Sequence, residues 1–126
     1  MIEYWLKKLF YALTILFLIS CNNGVSCHNQ FNKPSTFVEL EYQLENTEFS
    51  FFEELGLGNS SWITNCFYYS CDLKTGYFVL QVKDKKYFHG GVPFNYWISF
   101  KKSKSKGYFY NRNIRGKFKL SLLKDE

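Results

Sequence analysis

The sequence predicts an α+β domain in which a small antiparallel sheet of three to four strands carries one packed helix, preceded by a signal peptide and a linker. Residues 60–69, 77–82 and 86–89 are rich in aromatic and β-branched side chains and are separated by turn residues, as is typical of short strands. The segment that follows Pro93 has apolar residues at helical spacing. Aromatic residues make up 21% of the chain, which predicts a packed core and excludes a disordered chain.

The N-terminus has the composition of an export signal. Lys7 and Lys8 precede an apolar run over residues 9–20, which as a helix would rise about 18 Å. This length is short of the roughly 30 Å hydrocarbon core of a bilayer, so a signal peptide over residues 1–20 is favoured over a membrane span. The letters LISC, ending at Cys21, resemble the bacterial lipobox. We therefore expect lipidation at Cys21 and a location on a membrane of the bacterial cell envelope; the alternative is an uncleaved anchor with an ordinary cysteine.

The residues between the signal and the main domain divide into a polar tether and an extension. Residues 21–35 carry little apolar material and are interpreted as a flexible tether. Over 36–44, apolar and polar side chains alternate, which predicts a strand with one wet face. A Ser-x-x-Glu pattern predicts a short helix over 51–55. We assign 36–59 to an N-terminal extension and 60–126 to the main domain.

The main helix of the domain is expected after a Gly-Gly turn. Pro93 suits the first helical turn, Trp97 lies on the apolar stripe, and the pattern ends near Lys102. Gly107 can supply a left-handed residue just after this helix. The sequence beyond it is predicted to be irregular and pinned to the core by Ile114.

The order and spacing of a set of residues in this region carry a family resemblance. The matching positions are Tyr87, Gly91, Val92, Pro93, Ser105, Gly107, Asn111, Ile114, Arg115 and Phe118. In this arrangement residues 60–120 resemble the KTSC domain, which is named after the C-terminus of certain lysyl-tRNA synthetases and also occurs as a small stand-alone bacterial protein. One position departs from the pattern, since His89 replaces the second tyrosine of a Tyr-x-Tyr motif. The resemblance implies a small α+β fold without an established catalytic activity, in a family for which RNA binding has only been suggested.

Charge is segregated along the chain, whose formal net charge is +5. Glutamates cluster over 39–54 without a lysine, whereas 101–124 contains lysines and arginines without an acid. A basic segment with interleaved aromatics suits a phosphate backbone and stacked bases. The candidate binding residues are Arg112, Arg115, Lys117, Lys119, Tyr108 and Tyr110. The alternative interpretation, which is favoured from the sequence, is that the lysines are solvated or pair with the upstream glutamates and the aromatics belong to the core.

The cysteines leave several pairings open. With Cys21 assigned to lipid, three remain, and an exported compartment would permit a disulfide. Cys66 and Cys71 lie five residues apart, on opposite faces of one extended strand, so pairing them needs a turn. Zinc would have Cys27, His28, Cys66 and Cys71 as nominal ligands, but their spacing is not that of a tetrahedral site. We expect no metal and no other cofactor.

Catalytic patterns are weak in this sequence. His89 could act as a general base with Cys66 or Cys71 as the nucleophile, but a structural side chain at a strand end is the favoured interpretation. Paired carboxylates, a Gly-rich phosphate loop and a nucleophile elbow are not found in the sequence. The prediction is a lipid-anchored, exported, non-enzymatic binding module for a protein or an anionic polymer. Alternatives are a nucleic-acid (RNA) binding module and an enzyme of unknown type.

Overall fold

A computed structural model of the chain describes residues 2–7, 27, 32–58 and 61–122. In chain order, the elements after the helical residues 2–7 are α1 (Phe37–Asn46), β1 (Phe51–Gly56), β2 (Asn65–Ser70), β3 (Thr75–Val82), β4 (Lys85–Pro93), α2 (Phe94–Lys102) and α3 (Lys106–Asn113). The apolar run over 9–20 and the lipidation predicted at Cys21 lie outside the described residues. Among the helices that are described, none combines the length and the hydropathy needed to cross a membrane.

The strands form one antiparallel sheet in the order β1-β2-β3-β4. This arrangement confirms the predicted α+β class, and β2, β3 and β4 correspond to the three predicted strands with shifted ends. Strand β1 pairs with β2 along its whole length, from Phe51 opposite Ser70 to Gly56 opposite Asn65. The boundary placed at residue 60 therefore divides a single sheet, and the predicted extension over 36–59 is part of the same folded unit.

Both faces of the sheet are covered by helices. Successive side chains of a strand point to opposite faces, so Phe78 and Val79 of β3 enter two different clusters. Phe78 packs with Trp97 of α2, and α3 lies on this same face. Val79 packs with Leu40 and Leu44 of α1 on the other face. The sheet thus has helices on two sides instead of the one packed helix that the sequence predicted.

Helix α2 confirms the prediction of a helix beginning at Pro93 and ending near Lys102. Its Trp97 ring is buried and stacks on Tyr68 of β2, with the ring centroids 5.6 Å apart and an interplanar angle of 13°. The Tyr68 hydroxyl donates a 2.7 Å hydrogen bond to the carbonyl of Val92, which lies one residue before Pro93. This contact fixes the point at which β4 turns into α2.

The strand predicted over 36–44 is wrong, since this segment is helix α1. Thr36 caps the helix, and its hydroxyl accepts a 3.1 Å hydrogen bond from the backbone N–H of Glu39. Leu40 and Leu44, four residues apart, are both buried against the sheet. The apparent alternation arose because an apolar residue at every second position contains the helical spacing of four within it.

The helix predicted over 51–55 is also wrong, since this segment is strand β1. Phe51 and Leu55 pack against the core that α2 covers, with Glu53 between them. The Glu53 carboxylate accepts a 3.2 Å hydrogen bond from the indole N–H of Trp97. The Ser-x-x-Glu pattern is therefore not a capping box here, because the glutamate is used in a tertiary contact.

The irregular segment predicted after Gly107 is wrong as far as Asn113, because these residues belong to helix α3. Ser105 caps this helix, and its hydroxyl accepts a 3.3 Å hydrogen bond from the backbone N–H of Tyr108. Gly107 lies inside α3 and does not end α2. It is buried because the indole of Trp62 lies directly against it. A Cβ atom at this position would be 2.3 Å from the indole nitrogen. The predicted burial of Ile114 is confirmed.

A disulfide joins Cys27 to Cys71, with the Cα atoms 5.5 Å apart. It ties the predicted tether to the end of β2, and Cys66 remains a buried free thiol. Cross-links over such a sequence separation typically stabilise a fold by about 2 to 4 kcal/mol. The disulfide also consumes two of the four nominal zinc ligands.

We predict that Trp97→Ala and Ile114→Ala each lower the free energy of unfolding by about 2 to 5 kcal/mol, because both side chains are fully buried. Tyr42→Ala is the control, since Tyr42 is exposed on α1 and its removal is expected to change stability by less than about 0.5 kcal/mol. Urea unfolding followed by circular dichroism measures all three. Wild-type midpoints for both core variants would contradict the assigned packing.

Candidate functional site

A basic surface is built on α3 and the turn that follows it. Tyr108, Asn111, Arg112 and Arg115 follow one another at offsets of three, four and seven from the first, so they share one face, and all four are exposed. Gly107, Tyr110 and Ile114 occupy the opposite, buried face. We call Tyr108, Asn111, Arg112 and Arg115, together with the exposed residues Lys117 and Lys119, the basic surface.

Two hydrogen bonds orient the arginines of the basic surface. The Nη1 atom of Arg112 donates to the hydroxyl of Tyr108 at 2.7 Å, and the guanidinium carbon lies 5.9 Å from the centre of the same ring. The Nη1 atom of Arg115 donates to Oδ1 of Asn111 at 3.4 Å. Each guanidinium has five N–H donors, so both retain donors for an anion.

The described residues provide no carboxylate partner for the cations of the basic surface. The glutamates of the N-terminal half pair elsewhere: Glu53 binds Lys101 at 2.7 Å, and Glu41 binds Lys86. The hydrogen bond from Lys101 holds the pKa of Glu53 below its usual value. Pairing with the upstream glutamates, the alternative interpretation of the basic segment, therefore accounts for Lys101 but not for the basic surface.

Tyr110, which the sequence placed among the candidate binding residues, lies in the core. Its side chain is 4% exposed, and its hydroxyl lies 2.9 Å from Nε2 of His89. Burial raises the pKa of this phenol, so it stays protonated. Tyr108 is 62% exposed by contrast. We therefore remove Tyr110 from the set of residues open to a ligand and retain Tyr108.

His89 is a buried side chain that packs between aromatic rings. Its ring packs edge-on against Tyr110 and tilts against Phe78, and the buried Nδ1 atom makes no hydrogen bond with the described residues. Burial lowers the pKa of His89. The nearby backbone carbonyl of Phe118 has the opposite, smaller effect on this pKa. The imidazole is thus held neutral and enclosed.

The thiols considered as nucleophiles are not activated. Cys71 is engaged in the disulfide with Cys27. Cys66 is buried, and desolvation raises the pKa of its thiol to about 12. A thiolate is the nucleophilic form of cysteine, so neither sulfur supports the His–Cys chemistry considered from the sequence.

The positions of the family motif divide between structural and exposed roles. Gly91 lies in β4 with a φ of +67°, which a residue with a Cβ rarely adopts, and Pro93 immediately precedes α2. Ile114 is in the core. Tyr87, Asn111 and Arg115 are exposed, so these are the motif residues that a ligand can reach.

Sequence reasoning missed a cleft beside the basic surface. Trp62, assigned to a strand, lies before β2 and is 51% exposed. Its ring borders a cleft of about 500 Å³ that also reaches Lys104 and Asn111. No local pattern could have indicated it, because the glycine on which the ring lies is 45 positions further along the chain.

Comparison with known proteins supports the family resemblance over part of the chain. The model of the KTSC domain matches residues 79–118, about a third of the sequence. This stretch runs from the middle of β3 through β4, α2 and α3, and it contains the family motif and most of the basic surface. Neither the curated proteins nor the solved structures give a significant match.

We predict that acid destabilises the protein through His89. Because the folded state lowers the pKa of His89, the unfolded chain binds the proton more readily, with an ordinary pKa of about 6.5. The free energy of unfolding should therefore fall as the pH drops from neutrality through the range of an ordinary histidine. His89→Gln should reduce this dependence when urea unfolding is measured at pH 7 and pH 5. A dependence of the same size in the variant would show that His89 is not its source.

Proposed function

We propose that this chain is an exported protein that is anchored to a membrane by lipid at Cys21 and that its KTSC-containing domain is a non-enzymatic binding module for an anionic polymer. The observation that carries the proposal is the basic surface, where exposed arginines and lysines lacking carboxylate partners among the described residues follow one another on α3 and in the segment after it. Guanidinium groups can grip phosphate or carboxylate through two parallel hydrogen bonds. A repeating anion would engage several of these cations together.

The arrangement of the basic surface favours binding over a purely structural role. A structural arginine would donate to backbone carbonyls or to carboxylates, whereas Arg112 and Arg115 donate to a phenol and an amide of α3. These neutral partners orient the guanidinium groups without neutralising their charge. An anion that binds here would therefore meet positive charge that is already positioned.

Export is supported by two independent features. The basic residues, the short apolar run and Cys21 have the order of a lipoprotein signal. The Cys27–Cys71 disulfide is of the kind that persists in oxidising compartments and is rare where glutathione keeps thiols reduced. Lipid at Cys21 would hold the domain close to the bilayer.

A binding role without catalysis is supported by the state of the candidate catalytic groups. His89 is enclosed and its pKa is lowered by burial, while Cys66 is buried with a raised pKa. General acid–base catalysis needs a titratable group within reach of a substrate proton, and nucleophilic catalysis needs an activated nucleophile. These residues provide neither.

A single-stranded nucleic acid is the second candidate ligand, and one observation favours it. Tyr108 is an exposed aromatic residue among cations, and base stacking on an aromatic ring is a common mode of strand binding. We rank it below an envelope polymer, because export separates the domain from cellular RNA.

We predict that Arg112→Glu combined with Lys117→Glu weakens binding to immobilised heparin by at least about tenfold at low salt, since two favourable contacts become repulsive. The dependence of affinity on salt should flatten, because fewer counterions are released. Lys74→Glu with Lys85→Glu is the matched control, with the same change of charge at exposed positions outside the basic surface. Equal losses in the two double variants would contradict the assignment of the site and leave only an effect of net charge.

A further inference from the structure

The cleft beside Trp62 has features that the basic surface alone does not explain. It lies between the segment before β2 and the start of α3, and it measures about 500 Å³. Leu57, Ser61, Trp62, Lys104 and Asn111 contribute to its lining, so apolar, hydroxyl, amide and ammonium groups converge there. A concave site with a few polar groups around an aromatic wall is typical of a ligand pocket.

The aromatic wall of the cleft is held in one orientation. Trp62 lies with the nitrogen side of its indole against Gly107, where a Cβ atom would be only 2.3 Å away. A second contact comes from the ring of Tyr110, 6.2 Å between centroids and inclined by 63°. Half of the side chain nonetheless stays exposed, and no hydrogen bond to its N–H is found among the described residues. Trp62 is thus an exposed platform whose position is set by its contacts with α3.

The exposed positive charge of the cleft comes from Lys104. The ammonium group of Lys106, which is less exposed, donates to the carbonyls of Lys101 and Ser103 at the end of α2, and these neutral partners fix its position without removing its charge. The backbone N–H of Tyr108 is already taken by the Ser105 hydroxyl, so the start of α3 adds no free amide there. Lys104 is exposed and has no acidic partner among the described residues.

The remaining polar groups of the cleft suit hydroxyl groups on a ligand. The Ser61 oxygen accepts a 3.2 Å hydrogen bond from the backbone N–H of Ile63 and keeps its own O–H to donate. The Asn111 amide oxygen accepts from Arg115, and its NH₂ group remains available as a donor. Both side chains can therefore donate a hydrogen bond to a neighbouring hydroxyl oxygen.

We propose that this cleft binds one acidic sugar residue of an anionic polysaccharide. The C–H face of the sugar ring would pack on the indole of Trp62, and its carboxylate would meet Lys104. Ser61 and Asn111 would hydrogen-bond its hydroxyl groups. This inference rests on the proposed function and deepens it, because it assigns the chemical class of the polymer whose further charges would lie along the basic surface.

The number of open platforms favours a sugar over a nucleic-acid strand. Strand-binding proteins stack successive bases on several aromatic side chains. Here Trp62 is exposed and no cation lies over its ring among the described residues. The Tyr108 ring, by contrast, has the Arg112 guanidinium 5.9 Å from its centre, and the Tyr108 hydroxyl accepts a hydrogen bond from the same arginine. One platform beside one lysine matches the recognition of one charged ring.

The test uses the full chain in detergent micelles and three polymers. Polygalacturonate supplies acidic rings, its methyl ester supplies the same rings without charge, and poly(U) supplies single-stranded nucleic acid. Titration calorimetry should show binding to polygalacturonate, at least about tenfold weaker binding to the ester, and weaker binding to poly(U). Trp62→Ala and Lys104→Gln should each lower the affinity for polygalacturonate by at least about tenfold.

Matched controls separate the cleft from general effects. Tyr42→Ala removes an exposed aromatic from α1, and Lys85→Gln removes an exposed charge from β4, so both should bind as the wild type does. Trp62→Phe should retain most of the affinity whereas Trp62→Leu should not, if ring stacking is the contribution of this residue. Unfolding curves of the Trp62 variants identify any loss that comes from the fold.

Three results would overturn the inference. They are equal affinity of the cleft and control variants for polygalacturonate, tighter binding of poly(U) that depends on Trp62, and the absence of binding to polygalacturonate. If any of these results is found while the Arg112→Glu, Lys117→Glu variant still binds heparin more weakly than its control, the assignment of the cleft is wrong and the proposed function stands. If this double variant also binds heparin as its control does, both the assignment of the cleft and the proposed function are wrong.

Discussion

The contact between Tyr68 and Trp97 is the interaction on which the rest of this structure depends. The two rings stack in the core, and the Tyr68 hydroxyl donates to the Val92 carbonyl, so the centre of the sheet is tied to both ends of the β4–α2 junction. Burial raises the pKa of Tyr68, which keeps the hydroxyl protonated as a donor. With this junction fixed, α2 can lie in only one place on the sheet, and α3 follows from it.

The candidate site is a consequence of how α3 is seated. Tyr110 and Ile114 enter the core beside Phe78, and this requires Arg112 to face outward. Gly107 brings α3 close to the segment before β2, so the same seating builds the cleft around Trp62. The basic surface and the cleft are therefore adjacent, and Asn111 belongs to both.

The sequence was informative wherever one local pattern dominated. The stripe containing Trp97 predicted α2, and the turn chemistry predicted the strands around it. Helix α1 and strand β1 were exchanged, because Leu40 and Leu44 satisfy both periods and Glu53 imitates a cap while it binds Lys101. The arginines were named as candidates from the charge of their segment and from their positions on either side of Ile114. The cleft was not, since no local pattern indicates that an indole will lie on a distant glycine.

We propose that the domain is exported, anchored by lipid and closed by a disulfide. The most direct measurement is mass spectrometry of the chain purified from the membranes of its own cell, with thiols alkylated before and after unfolding. It should find lipid on an N-terminal Cys21, a Cys27–Cys71 cross-linked peptide, and a Cys66 that is alkylated only after unfolding. An uncleaved leader together with Cys27 and Cys71 as free thiols would contradict the account.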